Sequence, residues 1–218
     1  MKPKLAIFKI AVVFLFFLSS FAFAQETIDL VDVAALDSTI IIDLKYATAD
    51  NFMGDTLYSA NICLLRKDVA KRLIEVQKEL QQMGLGLKVW DGYRPLAVQK
   101  KMWEKIPDSR YVANPAKGSN HNRGAAVDVT LVDKDGKELE MPTGFDDFTE
   151  KAGSNYPNVS ERAKKNRELL KKVMINHGFK PIKSEWWHFN DKNIHDYPVL
   201  DVPLNILKMK AAKGMMAK

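Results

Sequence analysis

The stretch GSNHNRGAAVDVTL, residues 118–131, places His121 and Asp128 seven positions apart with Gly124 between them. In an extended strand the two residues would lie about 23 Å apart, and in a straight helix about 10 Å apart along the axis. Neither arrangement allows both side chains to bind one metal ion at a bond length of about 2 Å. A shared metal therefore requires the chain to fold back between them, and Gly124 is the residue that permits such a turn.

A third ligand for such a site must come from elsewhere in the chain. Catalytic zinc takes three protein ligands, keeps one position open for water and works beside a general base. His188 has Glu185 three residues before it, so this pair offers both a ligand and a base. Each half alone is weak evidence. A surface loop can place a histidine near an aspartate, and a buried structural histidine can follow a glutamate by three residues. Together the two halves predict a His–Asp–His metal site with a spare glutamate.

Two local geometries bear on this site. In a regular strand, Glu185 and His188 would point to opposite faces, so we expect a bend near Ser184–Glu185 if both serve one site. Arg94 follows a predicted strand and precedes Pro95 in WDGYRP, so a rigid turn projects it. Its guanidinium could stabilise the oxyanion of a tetrahedral intermediate, or it could form a structural salt bridge with a nearby carboxylate.

The first 24 residues have the pattern of a secretory signal peptide. Three lysines precede an apolar run over residues 10–18, and Ala22-Phe23-Ala24 matches a cleavage site. An uncleaved membrane anchor is the alternative, although the run is shorter than the ~20 residues that a span needs. We therefore predict a signal peptide over 1–24 and one mature domain over 25–218. The expected location is exported, periplasmic or secreted, with no membrane span after signal removal.

Charge and cysteine content narrow the class of the mature chain. The net charge is +6, and three of the positive charges lie in the leader, so the remainder carries about +3. This mild excess, without an interleaved basic and aromatic stripe, gives no reason to expect a nucleic-acid partner. Cys63 is the only cysteine. An exported fold without a disulfide framework must rely on its hydrophobic core or on a metal.

The hydrophobic pattern predicts an α+β fold. The clearest helix covers residues 66–84, where Val69, Leu73, Val76 and Leu80 recur at helical spacing. Strands and helices are interspersed without a regular βαβ rhythm, which favours a single domain with a mostly antiparallel central sheet flanked by helices. The other predicted helices are 96–106 and 160–178, the predicted strands are 39–48, 85–95, 125–133 and 185–189, and a hairpin turn is predicted at 134–137.

Three motifs follow one another along the chain: GYRP from Gly92 to Pro95, SxHxxGxAxD from Ser119 to Asp128, and ExxH ending at His188. In this order they resemble the zinc D-alanyl-D-alanine dipeptidases of the VanX type, peptidase family M15. The wider group includes D-Ala-D-Ala carboxypeptidases and shares a metal core with the Hedgehog signalling domain. Residues 43–54 and 144–150 also resemble family segments, so the resemblance covers nearly the whole mature chain and implies the same zinc-core fold.

The resemblance implies a role for each residue of the metal centre. His121, Asp128 and His188 would bind one Zn²⁺ per chain. Glu185 would act as the general base and would later protonate the leaving amine. Arg94 would steady the oxygen that carries the transition-state charge.

The resemblance also implies a substrate site. Ser119 and Asp146 would hold a dipeptide, and the carboxylate of Asp146 would pair with its free ammonium group. Asp147 is adjacent and leaves this last assignment open. The other two histidines, His177 and His195, are predicted to be structural.

The implied reaction is hydrolysis of D-Ala-D-Ala to two D-alanines, in turnover or salvage of cell-wall peptides. A carboxypeptidase or endopeptidase acting on longer wall peptides is the alternative, and it would need a pocket open on the amine side. A zinc-stabilised module that only binds wall fragments is a third candidate, and it could dispense with Glu185. The partner in the first case is a small-molecule dipeptide, and the oligomeric state stays open.

Overall fold

Seven strands and five helices make up residues 29–212, the part of the chain that the computed structural model describes. A five-stranded sheet has the order β2-β4-β5-β7-β6, in which only β2 and β4 run parallel. A separate antiparallel pair joins β1 to β3. The strands are β1 (Leu30–Asp32), β2 (Ile41–Ile42), β3 (Leu64–Arg66), β4 (Leu85–Asp91), β5 (Ala126–Asp133), β6 (Phe179–Pro181) and β7 (His188–Asp191). The mostly antiparallel sheet is as predicted, and the predicted signal peptide over residues 1–24 lies outside the described residues.

The helices cover the sheet as an α+β fold requires. The apolar residues at helical spacing in the helix predicted over 66–84 are fully buried, and this helix packs on β4. Ser160 caps the helix that begins at Glu161, because its hydroxyl accepts a hydrogen bond from the amide of Ala163 at 3.0 Å. Within residues 29–212, no helix has both the length and the apolar character that crossing a membrane requires. The helices are α1 (Val33–Leu36), α2 (Lys67–Gln81), α3 (Leu96–Lys105), α4 (Glu161–Asn176) and α5 (Leu204–Ala212).

Two predicted strands differ from expectation, one in its length and one in its position. Residues 39–48 pair with β4 only at Ile41–Ile42, after which a 3₁₀ turn covers Lys45–Ala47. The side chain of Asn51 donates to the carbonyl of Lys45 at 3.1 Å, so local turn bonds replace the strand ladder. The 185–189 segment becomes a strand only from His188. The expected hairpin return after β5 is reduced to a single bridge between Val132 and Glu138.

The strand register brings three polar residues together at one end of the sheet. Asp128 of β5 lies beside His188 of β7 and also beside Asp91 of β4. The register between β4 and β5 shifts between Val89 and Asp91, which marks a bulge next to the site. All three polar side chains are buried. Buried charge at the ends of three adjacent strands is costly unless these groups partner one another or a cation.

Candidate active site

The chain folds back between His121 and Asp128, as their spacing requires. A 3₁₀ turn over His121–Arg123 ends at Gly124, which has φ of +66°, and its amide donates to the carbonyl of His121 at 3.0 Å. The left-handed conformation suits glycine because it has no Cβ. Strand β5 starts two residues later at Ala126 and delivers Asp128 to the same place.

Three donor atoms converge at this point. Asp128 Oδ1 lies 2.9 Å from His188 Nδ1, and His188 Nδ1 lies 3.1 Å from His121 Nε2. Asp128 Oδ2 lies 3.3 Å from His121 Nε2. Zinc bonds of about 2.0–2.2 Å in a tetrahedral arrangement place neighbouring ligand atoms about 3.3 Å apart. The spacing of the three donor atoms therefore fits a single tetrahedral ion.

The outer nitrogen of each imidazole is bonded to an oxygen. His121 Nδ1 donates to the carbonyl of Gly92 at 2.8 Å, and His188 Nε2 donates to Asn190 Oδ1 at 2.9 Å. That amide oxygen also accepts from Asn120 Nδ2 at 2.9 Å, which fixes its orientation. When the rings are neutral, as metal binding requires, these bonds hold the ring protons on the outside, and both inner lone pairs face the centre of the cluster. Such outer-shell bonds orient histidines that bind metals.

The electrostatics of the cluster call for a positive charge at its centre. Burial opposes ionisation of Asp128, but His121 and His188 hold its pKa well below the ordinary range. Burial likewise disfavours charge on His188, yet the hydrogen bond to Asp128 and its charge raise the pKa of His188 to about 9. Two nitrogens and a carboxylate at these distances are a donor set that fits zinc.

The expected bend before β7 brings Glu185 to the same site. The chain bends at Lys183 and Ser184, and Glu185 Oε2 lies 3.8 Å from His188 Nδ1. The side chain of Glu185 is 26% exposed, against 8% for His188, and it lines the cavity beside the donor cluster. Burial, together with the charge of Asp128, raises the pKa of Glu185 although the neighbouring cations oppose this. A carboxylate with a raised pKa suits proton transfer near neutral pH.

Arg94 both forms a salt bridge and lines the cavity. Its Nε and Nη2 donate to Asp91 Oδ2 at 3.1 and 2.6 Å, and its Nη1 donates to Gln99 Oε1 at 2.8 Å. Its guanidinium carbon lies 5.0 Å from the ring centroid of Tyr46. Burial disfavours the charged form, but Asp91 and the other groups around it keep the pKa of Arg94 well above its usual value. The structural salt bridge that the sequence left open is therefore present, and the cation still reaches the cavity.

A cavity of about 620 Å³ opens over the donor cluster. Asp146 lies in its wall with φ of +55°, and Tyr46 Oη donates to both carboxylate oxygens at 3.0 and 3.1 Å. Burial raises the pKa of Asp146 to about 8, although the bond from Tyr46 opposes this. Ser119 lines the same cavity, and its Oγ accepts from the amide of His121 at 3.3 Å. Asp147 also reaches the cavity, but its carboxylate is bonded to the amide of Thr149.

A family model described as D-Ala-D-Ala dipeptidase, of the peptidase M15 group, matches residues 26–204. The chain belongs to the M15 family of D-Ala-D-Ala dipeptidases. A D-alanyl-D-alanine dipeptidase of Escherichia coli (strain K12) is 42% identical over 176 residues, which cover 81% of this chain and 91% of that protein. Another, of Enterococcus faecalis (strain ATCC 700802 / V583), is 32% identical over 184 residues, which cover 75% of this chain and 90% of that protein. Among solved structures, a mutant of the vancomycin resistance D,D-pentapeptidase VanY in complex with Zn(II) has a TM-score of 0.41 at 16% identity, covering 63% of this chain and 78% of that chain.

In this M15 dipeptidase family member, the structure brings every predicted site residue to one cavity. His121, Asp128 and His188 lie at its base, and Glu185 and Arg94 lie beside them. The remaining two predicted site residues, Ser119 and Asp146, also line this cavity.

The other two histidines of the M15 chain lie outside the cluster. His177 Nε2 lies 2.6 Å from Glu79 Oε2, in a pair that links α4 to α2. His195 is exposed in a 3₁₀ turn over Ile194–Asp196. His177 therefore has a structural pairing, as the sequence predicted, whereas the structural role of His195 stays a prediction.

Sequence reasoning missed the residues that hold the predicted ones in place. Asp91 bonds to Arg94, Tyr46 bonds to Asp146, and Gln99 bonds to Arg94 from α3. Asp91 had a signal in the sequence because it belongs to the WDGYRP stretch, and Tyr46 had a weaker one because it lies in the 43–54 segment that resembles the family. The contact of Tyr46 with Asp146 joins residues 100 positions apart. The contact of Gln99 with Arg94 joins residues 5 positions apart across the start of α3, so both contacts are recognisable only in the folded chain.

Proposed function

We propose that this protein hydrolyses the dipeptide D-Ala-D-Ala to two D-alanines as a zinc metallopeptidase, with one zinc ion per chain. The observation that carries the proposal is the His–Asp–His donor set at His121, Asp128 and His188, with Glu185 beside it in one cavity. Membership of the D-Ala-D-Ala dipeptidase family supports the substrate. The M15 family and the donor chemistry both support zinc.

The metal would be held by the three converging side chains, His121, Asp128 and His188. When bound, zinc supplies a Lewis acid that polarises a carbonyl and makes water more acidic at neutral pH. Two neutral imidazoles and a single carboxylate leave net positive charge at the centre. The outer bonds from His121 to Gly92 and from His188 to Asn190 place the proton of each neutral ring on its outer nitrogen, so that the inner nitrogens would be the ones that bind the ion.

Glu185 carries the protons of the reaction. Its carboxylate accepts a proton from the attacking water, and it then delivers that proton to the nitrogen of the leaving D-alanine. A raised pKa helps both steps, because the group is basic enough to take the proton and acidic enough to return it. The open side of Glu185 towards the cavity leaves room for water and substrate.

Arg94 and Asp146 bind opposite charges of the substrate. Arg94 donates to the scissile oxygen as negative charge develops there, and it stays protonated throughout because Asp91 lies against it. Asp146 pairs with the free ammonium group, which favours its ionised form and offsets the cost of burial. Ser119 lines the cavity beside His121, where it would contact the bound dipeptide.

The proposal is tested with two substrates and purified, zinc-loaded protein. Release of D-alanine is measured from free D-Ala-D-Ala and from an N-acylated peptide that ends in D-Ala-D-Ala. The expected result is release from the free dipeptide alone. Release chiefly from the blocked peptide would move the protein to the carboxypeptidases and would remove the role of Asp146.

A carboxypeptidase or endopeptidase for longer wall peptides is the second candidate, and one observation favours it. The cavity volume of about 620 Å³ falls within the 300–1,000 Å³ range of pockets that hold drug-sized ligands, so it exceeds what a dipeptide fills. The buried carboxyl of Asp146 favours the dipeptidase, because a blocked amine would leave it without a cationic partner.

We further propose that the protein is exported and that its task is turnover or salvage of D-alanine from the cell wall. The leader pattern over residues 1–24 supports this location. Amino-terminal sequencing of the protein from a fractionated host should find a chain that begins near Gln25 outside the cytoplasm. An unprocessed chain in the cytosol would contradict export.

A further inference from the structure

The guanidinium of Arg94 donates hydrogen bonds to two buried side chains on different edges, those of Asp91 and Gln99. Asp91 accepts from Nε and Nη2 on one edge of the guanidinium, and Gln99 accepts from Nη1 at 2.8 Å. Gln99 lies in α3 and has no exposed surface. A lone salt bridge would let the guanidinium pivot about the carboxylate, whereas a second acceptor on Nη1 removes that freedom.

The same glutamine also holds a wall of the cavity. Gln99 Nε2 donates to the carbonyl of Ala113 at 2.8 Å, and Ala113 lines the cavity together with Val112. A guanidinium can only donate and a carbonyl can only accept, so the carboxamide of Gln99 has one orientation that satisfies both. One side chain therefore ties the cation to the segment that follows α3.

We propose that Gln99 is a positioning residue of the reaction. It keeps the guanidinium of Arg94 and the wall at Ala113 in fixed relation, so that Arg94 meets the oxyanion without first being reoriented. This inference rests on the proposed function, because the role of Arg94 belongs to that reaction. Preorganised donors act on the transition state more than on the bound substrate, so Gln99 should affect kcat more than KM.

A second buried glutamine provides a matched structural control. Gln77 of α2 is also buried, donates to the carbonyl of Thr39 at 3.2 Å and accepts from the amide of Leu87 at 2.8 Å. Like Gln99, it uses both ends of its carboxamide, but Gln77 bonds to backbone groups at both ends, whereas Gln99 accepts from the side chain of Arg94 and donates to the carbonyl of Ala113. Gln77 does not line the cavity over the donor cluster, so its loss should affect stability alone.

The experiment compares Gln99→Met, Gln77→Met and the wild type. It measures kcat and KM for D-Ala-D-Ala, the Tm of each protein, and the inhibition constant of a phosphinate analogue of that dipeptide. We expect Gln99→Met to lower kcat about 10- to 100-fold with little change in KM, and to weaken phosphinate binding by a similar factor. Gln77→Met should lower Tm while leaving kcat and phosphinate binding at wild-type values.

Two further variants test whether Gln99 acts through Arg94. In an Arg94→Ala background, Gln99→Met should lower kcat far less than it does in the wild type, because the guanidinium that it positions is gone. Gln99→Glu keeps an acceptor for Nη1 and should therefore bind the phosphinate more tightly than Gln99→Met does. This variant also keeps the test decisive if the methionine variant folds poorly.

Three results would overturn the inference. These are wild-type kcat and phosphinate affinity in Gln99→Met, equal losses in the Gln77 control, or additive losses in the Arg94→Ala background. A wild-type protein that leaves D-Ala-D-Ala intact would instead overturn the proposed function, and the inference with it. The wild-type assay thus separates the two failures.

Discussion

At the residue scale, the site contains two carboxyl groups whose surroundings raise their pKa values and give them different tasks. Glu185 lies beside the metal-binding cluster with an open side, and Asp146 lies against Tyr46 in the cavity wall. Burial is the main cause of the raised pKa in both. Their effects on kinetics should therefore be separable, one on the chemical step and one on substrate binding.

Replacing Glu185 by glutamine should abolish turnover without loss of metal. The amide keeps the size of the side chain but cannot take a proton from water, so kcat should fall by about 10²–10⁴-fold. Zinc content, measured after gel filtration, should stay at the wild-type level because the three donors are untouched. Wild-type turnover in this variant would rule out the proposed base and would favour a binding module.

Replacing Asp146 by asparagine should raise KM for the free dipeptide about 10- to 100-fold, the effect of losing a charge-assisted bond. Asparagine tolerates the positive φ, so the backbone should be preserved. Asp147→Asn is the neighbouring control and should leave KM unchanged, since that carboxylate is bonded to the amide of Thr149.

The same residue predicts a pH dependence. Only ionised Asp146 pairs with an ammonium, and its pKa in the free protein is about 8 against an ordinary 3.8. As pH rises towards 8, kcat/KM for D-Ala-D-Ala should rise, and it should fall again as the substrate amine loses its proton near ~8. The part of the rising limb that is due to Asp146 should be absent in Asp146→Asn. A rising limb that is unchanged in the variant would assign it to another group.

At the element scale, a glycine turn and a strand register assemble the metal centre. The turn at Gly124 presents His121, and the register of β5 against β7 presents Asp128 beside His188. A Cβ on Gly124 would lie 2.6 Å from Leu30 Cδ2 in addition to the strain of φ +66°. The turn is therefore limited by backbone conformation and by packing at once.

Gly124→Ala should lower both stability and zinc affinity. Gly54→Ala is the matched control, because Gly54 has φ of +68° but no atom within 4 Å of the place that an added Cβ would take. The control should lose only the cost of a left-handed alanine, about 1–2 kcal/mol in urea unfolding. Gly124→Ala should lose more free energy of unfolding than this control does. It should also bind zinc more weakly, which a competition titration measures. Equal losses in the two variants would mean that Leu30 moves aside freely.

The element scale also separates what local sequence predicts well from what it predicts poorly. The apolar period of α2 predicted its buried face, because helical spacing is a property of neighbouring residues. The strand predicted over 39–48 was confirmed only at Ile41–Ile42, because the side chain of Asn51 and the amide of Tyr58 bond to the backbone of its second half instead. Turn bonds from residues further along outweigh a β-branched composition.

At the scale of the whole molecule, metal binding should be coupled to folding stability. The donor cluster joins β5, β7 and the turn before β5, so an ion there links three parts of the fold. Removing zinc by chelation should lower Tm by about 5–10 °C when zinc exceeds its Kd about 100-fold. Scanning calorimetry with and without chelator measures this shift.

Two variants serve as controls for that experiment. His121→Ala removes one ligand and should abolish the chelator-dependent shift. His177→Ala removes a histidine that pairs with Glu79 outside the cluster, and it should keep the full shift. A chelator effect that survives in His121→Ala would locate the metal elsewhere in the protein.

By itself, the sequence determined the ingredients of this protein: the His–x₆–Asp spacing around Gly124, the Glu185–His188 pair, the α+β pattern and the motif order of the family. These are short-range features, and their chemistry depends on residue types a few positions apart. Only the tertiary structure decided how they are held. Tyr46 reaches Asp146 across 100 positions of sequence, and this contact depends on the position of every element between them, so no local pattern encodes it. Gln99 lies only 5 positions from Arg94 and 14 from Ala113, but it meets both only because α3 begins between Arg94 and Gln99 and the chain after α3 returns to the cavity.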